Sequence, residues 1–163
     1  MNDRSAPESI SLLLKPASSL CNLACDYCFY RRTEALYPGN ATKMTRKVLE
    51  TVIRKTLTVD APFNSFCWQG GEPLLMGIDF FRDVVAFQKK YARNGQIIEN
   101  SLQTNGLLLD AAWCEFLREE NFLVGVSLDG PAEIHNFYRK DHAGHGSFDG
   151  VMRGIGLMRQ HEV

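Results

Sequence analysis

Three cysteines stand within eight residues, in the segment Cys21-Asn22-Leu23-Ala24-Cys25-Asp26-Tyr27-Cys28-Phe29-Tyr30. Thiolates spaced by three and then two residues can wrap a compact metal centre. A cubane iron–sulfur cluster is normally held by four cysteines, and one held by three keeps an iron open to a small molecule. A structural zinc ion takes four protein ligands. Its fourth ligand would have to be Cys67, Cys114, His135, His142, His145 or His161, none of which sits in a second local C-x2-C or H-x3-H pair. The spacing therefore favours iron–sulfur over zinc. A third reading, a buried thiol with no ligand, is the preferred one for Cys67, inside an apolar run, and for Cys114, beside Trp113. Tyr27 and Tyr30 bring rings that limit water around the loop, whereas Phe29 reads better as ordinary packing. His142 and His145, flanked by glycines, read as a mobile loop and receive no ligand role.

Gly70-Gly71-Glu72-Pro73 is the second signal. Glycines at a strand end let a ligand approach the backbone, whose carbonyls accept bonds from an ammonium, and Glu72 adds a carboxylate. No G-x-G-x-x-G and no Gly-Lys-Ser/Thr is present, so a phosphate cradle is not expected.

These groups need elements to position them. Ile10, Leu12 and Leu14 read as a strand ending near Lys15-Pro16, and Val48, Leu49, Val52 and Ile53 as a helix capped by Thr45, with Met44 as a hydrophobic staple. Phe63–Gln69 reads as a second strand, followed by a helix capped by Asp79 with the stripe Phe80, Val84, Phe87 and Tyr91. Ile97–Gln103 is a third strand, before a helix capped by Asp110. Phe122–Leu128 is a fourth, before a helix starting at Ser147 and carrying Val151, Ile155 and Met158. Strand–helix repeated four times predicts an α/β fold with a parallel sheet, buried on both faces, whose strands deliver their C-terminal ends to one edge. On that edge would lie the cysteine loop, Gln69–Glu72, Gln103-Thr104-Asn105-Gly106 and Ser127-Leu128-Asp129-Gly130. Four such units fall short of an eight-stranded barrel, which takes ~200–250 residues. An open half-barrel, the N-terminal part of a longer protein, is the expectation.

The chain has 163 residues, 45% hydrophobic and 23% charged, with a net charge of −1. That balance excludes a nucleic-acid scaffold and an electrostatic membrane binder, both of which need a positive excess. No apolar run approaches the ~18 residues of a membrane span. The first eight residues lack the basic and apolar regions of a secretory signal, so a cytoplasmic protein is expected. Five cysteines, an odd number, are not a disulfide framework there.

The cysteine motif after a first strand and Gly70-Gly71-Glu72-Pro73 after a second resemble the radical S-adenosylmethionine superfamily. The wider set is similar to the anaerobic sulfatase-maturating enzymes from about Leu12 onward. It comprises Lys15-Pro16, Cys21–Tyr30, Trp68–Pro73, Leu102–Gly106 and Ser127-Leu128-Asp129-Gly130-Pro131. The resemblance implies a partial six-unit barrel, a [4Fe–4S] cluster on Cys21, Cys25 and Cys28, and S-adenosylmethionine chelated to the open iron. It implies that Gly70, Gly71 and Glu72 bind the methionine ammonium, that Ser127 and Arg139 contact ribose and carboxylate, and that Tyr30 and Gln69 lie near a substrate peptide. The implied reaction oxidises a cysteine or serine of a sulfatase polypeptide to formylglycine through a 5′-deoxyadenosyl radical, with an electron donor such as a flavodoxin or ferredoxin. The acid–base residue and two auxiliary clusters are expected beyond these residues. The alternatives are another peptide-modifying radical enzyme and a non-catalytic metal-binding fragment.

Overall fold

A computed structural model describes residues 7–33 and 43–163. Residues 1–6, within the stretch read above for a leader, lie outside them. Four strands, β1 (Ser9–Leu14), β2 (Phe63–Trp68), β3 (Ile97–Thr104) and β4 (Leu123–Val126), form one parallel sheet in the order β1-β2-β3-β4. The helices are α1 (Phe29–Thr33), α2 (Arg46–Thr58), α3 (Ile78–Tyr91), α4 (Ala111–Glu119), α5 (Ala132–Tyr138) and α6 (Phe148–Gln160), with a 3₁₀ turn at Pro73–Met76. The α/β fold with a parallel sheet is as the sequence predicts. No described helix is long and apolar enough to cross a membrane.

The sheet is covered on one face, not two. Along β2, Asn64, Phe66 and Trp68 are buried while Phe63, Ser65 and Cys67 on the opposite face are only partly so. Leu13 and Leu123 are 56% and 75% exposed on that open side. Cys67, expected to be buried, is only partly so, because alternation along β2 turns it away from the helices. Cys114 is buried as expected.

The core gathers Leu49, Ile53 and Leu57 of α2, Phe66 and Trp68 of β2, and Trp113, Phe116 and Leu117 of α4 around Phe81 of α3. The Phe81 ring meets Trp68, Trp113 and Phe122 edge-on at centroid distances of 5.8, 5.5 and 6.2 Å. One buried polar cluster crosses this core. Asn100 Oδ1 accepts from Trp68 Nε1 and Gln88 Nε2, both at 2.9 Å, and Asn100 Nδ2 donates to Gln88 Oε1 at 2.8 Å. It ties β2, β3 and α3 together with every amide group satisfied.

Thr45 caps α2, accepting from Val48 N at 3.3 Å, and Asp110 caps α4, accepting from Trp113 N at 2.9 Å. Met44 packs on the core, but Val48 is 47% exposed, so the buried stripe of α2 is Leu49, Ile53 and Leu57. Helix α3 begins one residue before Asp79, with Gly77 at the cap position and no side-chain cap. Asp79 sits in the first turn and pairs with Arg82 at 2.8 Å. Its buried face is Phe81, Val84, Val85, Phe87 and Gln88, and Phe80 and Tyr91 lie at the margin. β4 is shorter than the apolar run Phe122–Leu128, because Phe122 joins the core before the strand begins and Leu128 lies beyond it. Helix α5, not counted among the predicted elements, intervenes before α6. Residues at the hub of the core should dominate stability: Phe81→Ala is expected to cost about 3–5 kcal/mol, measured by urea unfolding.

Candidate functional site

The cysteine loop leaves β1 through a turn closed by Ser18 N to Lys15 O and Leu20 N to Ala17 O, at 3.1 and 3.0 Å. It is then held from two sides. On one side the loop after β2 fits beneath it, with Glu72 N donating to Leu20 O at 2.8 Å. Gly71 makes that fit possible: it has φ +52°, and a Cβ there would lie 2.1 Å from the Leu20 carbonyl oxygen. Gly71 thus makes room first for the protein's own backbone, and Gly70 for the Lys15 side chain, which a Cβ there would meet at 2.7 Å. On the other side the chain after α5 runs antiparallel to the loop, pairing Leu23 with Asp141. Ala24 N donates to Lys140 O at 2.7 Å and Asp26 N to Tyr138 O at 2.9 Å.

Glu72 has no exposed surface, and its carboxylate is turned into the protein. Oε1 accepts from Leu74 N at 3.0 Å and Thr104 Oγ1 at 2.8 Å, and Oε2 from Asn105 N at 2.8 Å. Burial pushes its pKa up, against the opposing effect of these donors. Asn105 in turn reaches the cysteine loop. Its Nδ2 donates to Asn22 Oδ1 at 2.7 Å and lies 3.7 Å from Cys21 Sγ. Gln103 Nε2 donates to Ser127 Oγ at 3.1 Å across the ends of β3 and β4, over Gly125, where a Cβ would collide with the Gln103 amide oxygen.

At the β4 end, Asp129 takes the Tyr27 hydroxyl proton donor and pairs with Arg139 Nε at 3.0 Å, misaligned for a hydrogen bond. The Arg139 guanidinium also lies 5.4 Å from the centre of the Tyr27 ring. Burial alone would raise Asp129, but Tyr27 and Arg139 hold its carboxyl below the ordinary value. The same burial, with Asp129 as its hydrogen-bond acceptor, pushes the Tyr27 hydroxyl up.

Cys21, Cys25, Cys28, Tyr30, Gln69, Gly70, Gly71, Gln103, Asn105, Ser127 and Arg139 line one cavity of about 210 Å³. Every residue picked out as a cluster, cofactor or substrate contact therefore faces it except Glu72, which braces its wall. Desolvation raises the Cys21 and Cys25 thiols; Leu23 N–H, donating to Cys21 Sγ at 3.3 Å, and the nearby Arg139 charge oppose it at the two sites.

None of Cys67, Cys114, His135, His142, His145 and His161 lines the cavity. His135 is buried, taking Asp129 N at 3.3 Å and meeting Ser147 Oγ at 3.0 Å. His142 Nε2 lies 3.0 Å from Cys21 O, and His145 pairs with Asp141 at 3.2 Å. The glycine-flanked loop is thus a turn organised by Asp141, which also accepts from Ala143 N and His145 N. Among the described residues no three His, Cys, Asp or Glu side chains close on a single ion. The donor set around the cavity is three unpaired thiols, which suits an iron–sulfur cluster bound through three irons. Asp129 is the residue whose role the sequence did not reveal; it stands within Ser-Leu-Asp-Gly-Pro, but its partners lie 102 positions earlier and 10 later in the chain.

Residues 16–163 match the Radical SAM superfamily. The chain is 46% identical over 154 residues to a serine-type anaerobic sulfatase-maturating enzyme of Bacteroides thetaiotaomicron, covering 93% of this chain and 37% of that protein. It is 45% identical over 158 residues to a cysteine-type anaerobic sulfatase-maturating enzyme of Clostridium perfringens, covering 94% and 42%. The solved structure of native anSMEcpe with bound AdoMet and Cp18Cys peptide superposes with a TM-score of 0.87 at 45% identity, over 96% of this chain and 41% of that one. The chain thus spans about two fifths of the length of the relatives it matches.

Gly71→Ala should lower stability by about 1–3 kcal/mol, read as a drop in urea midpoint, because strain at positive φ adds to the clash with Leu20. Asp129 makes a pH-dependent contribution. Its folded pKa lies below the ordinary 3.8, so its stabilisation is present above that value and is lost as pH falls through the folded pKa. The Tm gap between wild type and Asp129→Asn should be constant at neutral pH and close below pH 3.8.

Proposed function

The chain belongs to the radical SAM superfamily, and on that premise we propose that it forms the cofactor-binding part of an enzyme oxidising a cysteine or serine of a sulfatase polypeptide to formylglycine. The observation that carries this reading is the convergence on one cavity of three thiols, the glycine pair, Gln103 with Asn105, and Ser127 from the ends of the four strands, joined by Arg139 from the turn after α5. It is supported by 45–46% identity to maturases of both serine and cysteine type. The four βα units correspond to the first part of a partial barrel. Five cysteines, all unpaired, accord with a reducing cytoplasm.

Cys21, Cys25 and Cys28 would hold the [4Fe–4S] cluster. With the cluster and S-adenosylmethionine bound, the chemistry supplied is one-electron reductive cleavage of the sulfonium followed by hydrogen abstraction from the substrate. The chain's own residues bind and orient. The Glu72 carboxylate is committed to three donors, so the Gly70–Glu72 segment would meet the methionine ammonium through its backbone. Arg139, braced by Asp129 and Tyr27, offers its remaining N–H groups to the methionine carboxylate. Ser127, fixed by Gln103, would take the ribose. Tyr30 and Gln69, on the β1 and β2 side of the cavity, would face the substrate peptide. Electrons would come from a flavodoxin or ferredoxin.

Anaerobic iron–sulfide reconstitution tests this reading. Wild type should bind about four irons and four sulfides and give a reduced EPR signal that changes when S-adenosylmethionine is added; Cys25→Ala should abolish the signal. A cluster indifferent to S-adenosylmethionine, or zinc in protein prepared anaerobically, would sink it.

A further inference from the structure

Asn105 is bound on every side, although its motif, Thr-Asn-Gly, reads as an ordinary turn after β3. Its backbone N–H donates to the buried Glu72 carboxylate at 2.8 Å, and its Oδ1 accepts from Leu107 N at 3.1 Å. That second bond settles the amide orientation. The NH2 group must then point toward the cysteine loop, where Asn22 Oδ1 at 2.7 Å takes one hydrogen and Cys21 Sγ at 3.7 Å takes the other. Flipping the amide would set oxygen against oxygen at Asn22 and donor against donor at Leu107. Asn105 is itself buried, so water does not compete for these bonds.

We propose that Asn105 is a positioning residue that donates a hydrogen bond to the Cys21 sulfur and so raises the reduction potential of the cluster that Cys21 helps to hold, with Glu72 fixing the donor in place. This rests on the reading that Cys21, Cys25 and Cys28 hold an iron–sulfur cluster. A donor at a ligating sulfur withdraws electron density and favours the reduced, more negative cluster. Leu23 N–H, at 3.3 Å, is a second donor to the same sulfur, but it belongs to the loop itself and moves with it. Asn105 comes from another strand end, so its bond exists only when the loop is seated on the rim. Seating of the loop and ease of reduction are thereby coupled.

The test is potentiometric EPR titration of the full chain, reconstituted anaerobically, as wild type, Asn105→Ala and Asn105→Asp. Iron and sulfide content and circular dichroism are measured on the same samples. Asn105→Asp keeps the acceptor for Leu107 and loses the donor, so it serves where the alanine variant fails to fold. Both variants should keep a full cluster and become harder to reduce, by about tenfold in the reduction equilibrium, ~59 mV for one electron. An unchanged potential in fully loaded variants would overturn the inference and leave the cluster reading intact. Folded variants that lose the cluster altogether would also overturn it, since Asn105 would then be needed to retain the cluster and not to tune it. A wild type that binds no cluster would remove the reading beneath it.

Discussion

Glu72 is an ionisable side chain with no surface in contact with water. Burying a carboxylate costs several kcal/mol unless donors take the place of its hydration. Here three donors do so, and they come from different parts of the chain: Leu74 just beyond Glu72, and Thr104 and Asn105 at the end of β3. The loop after β2 is thereby fastened to the neighbouring strand end. Because Glu72 N also donates to Leu20 O, the cysteine loop is fastened as well. One wall of the cavity is built around this group, which joins the loop after β2 to the end of β3 and to the cysteine loop.

The opposite wall uses charge and aromatic surface. Asp129 joins Tyr27, from the cysteine loop, to Arg139, from the turn after α5, and the flat guanidinium covers the tyrosine ring. Backbone pairing between Leu23 and Asp141 runs alongside. A loop rich in thiols would otherwise fold to suit its own hydrogen bonds. Held between a β-bridge on one flank and the Gly71 contact on the other, its three sulfurs are presented to a common space.

Away from the rim, the molecule divides its apolar surface unequally. One face of the sheet carries a dense aromatic core centred on Phe81, while the other leaves Leu13 and Leu123 open and Cys67 only partly covered. On α5, Phe137 is 62% exposed beside Ile134. The expectation of burial on both faces failed because it was drawn from strand composition. Composition does not distinguish an inner barrel face from a face packed under helices.

Periodicity made the four strands, the parallel sheet and the caps at Thr45 and Asp110 legible, because local patterns of apolar and capping residues act over one or two turns of chain. On α3 the cap falls at Gly77, two positions before Asp79, and the buried ring is Phe81, one position after Phe80. Gly77, with φ +81°, takes the cap position without a side-chain hydrogen bond, and the adjacent phenylalanines at 80 and 81 leave the apolar pattern unable to say which ring is central to the core. The site residues were legible through motif spacing and resemblance, since Cys21, Cys25 and Cys28 are close in sequence whatever the rest of the chain does. What those residues do for one another was decided only in three dimensions. That Glu72 is a brace, that Gly71 yields to the Leu20 carbonyl, and that Asn105 reaches the Cys21 sulfur all depend on groups brought together from 33 to 84 positions apart or across a loop. A hydrogen bond is set by the distance and angle between two groups, and only the assembled sheet brings those groups within reach.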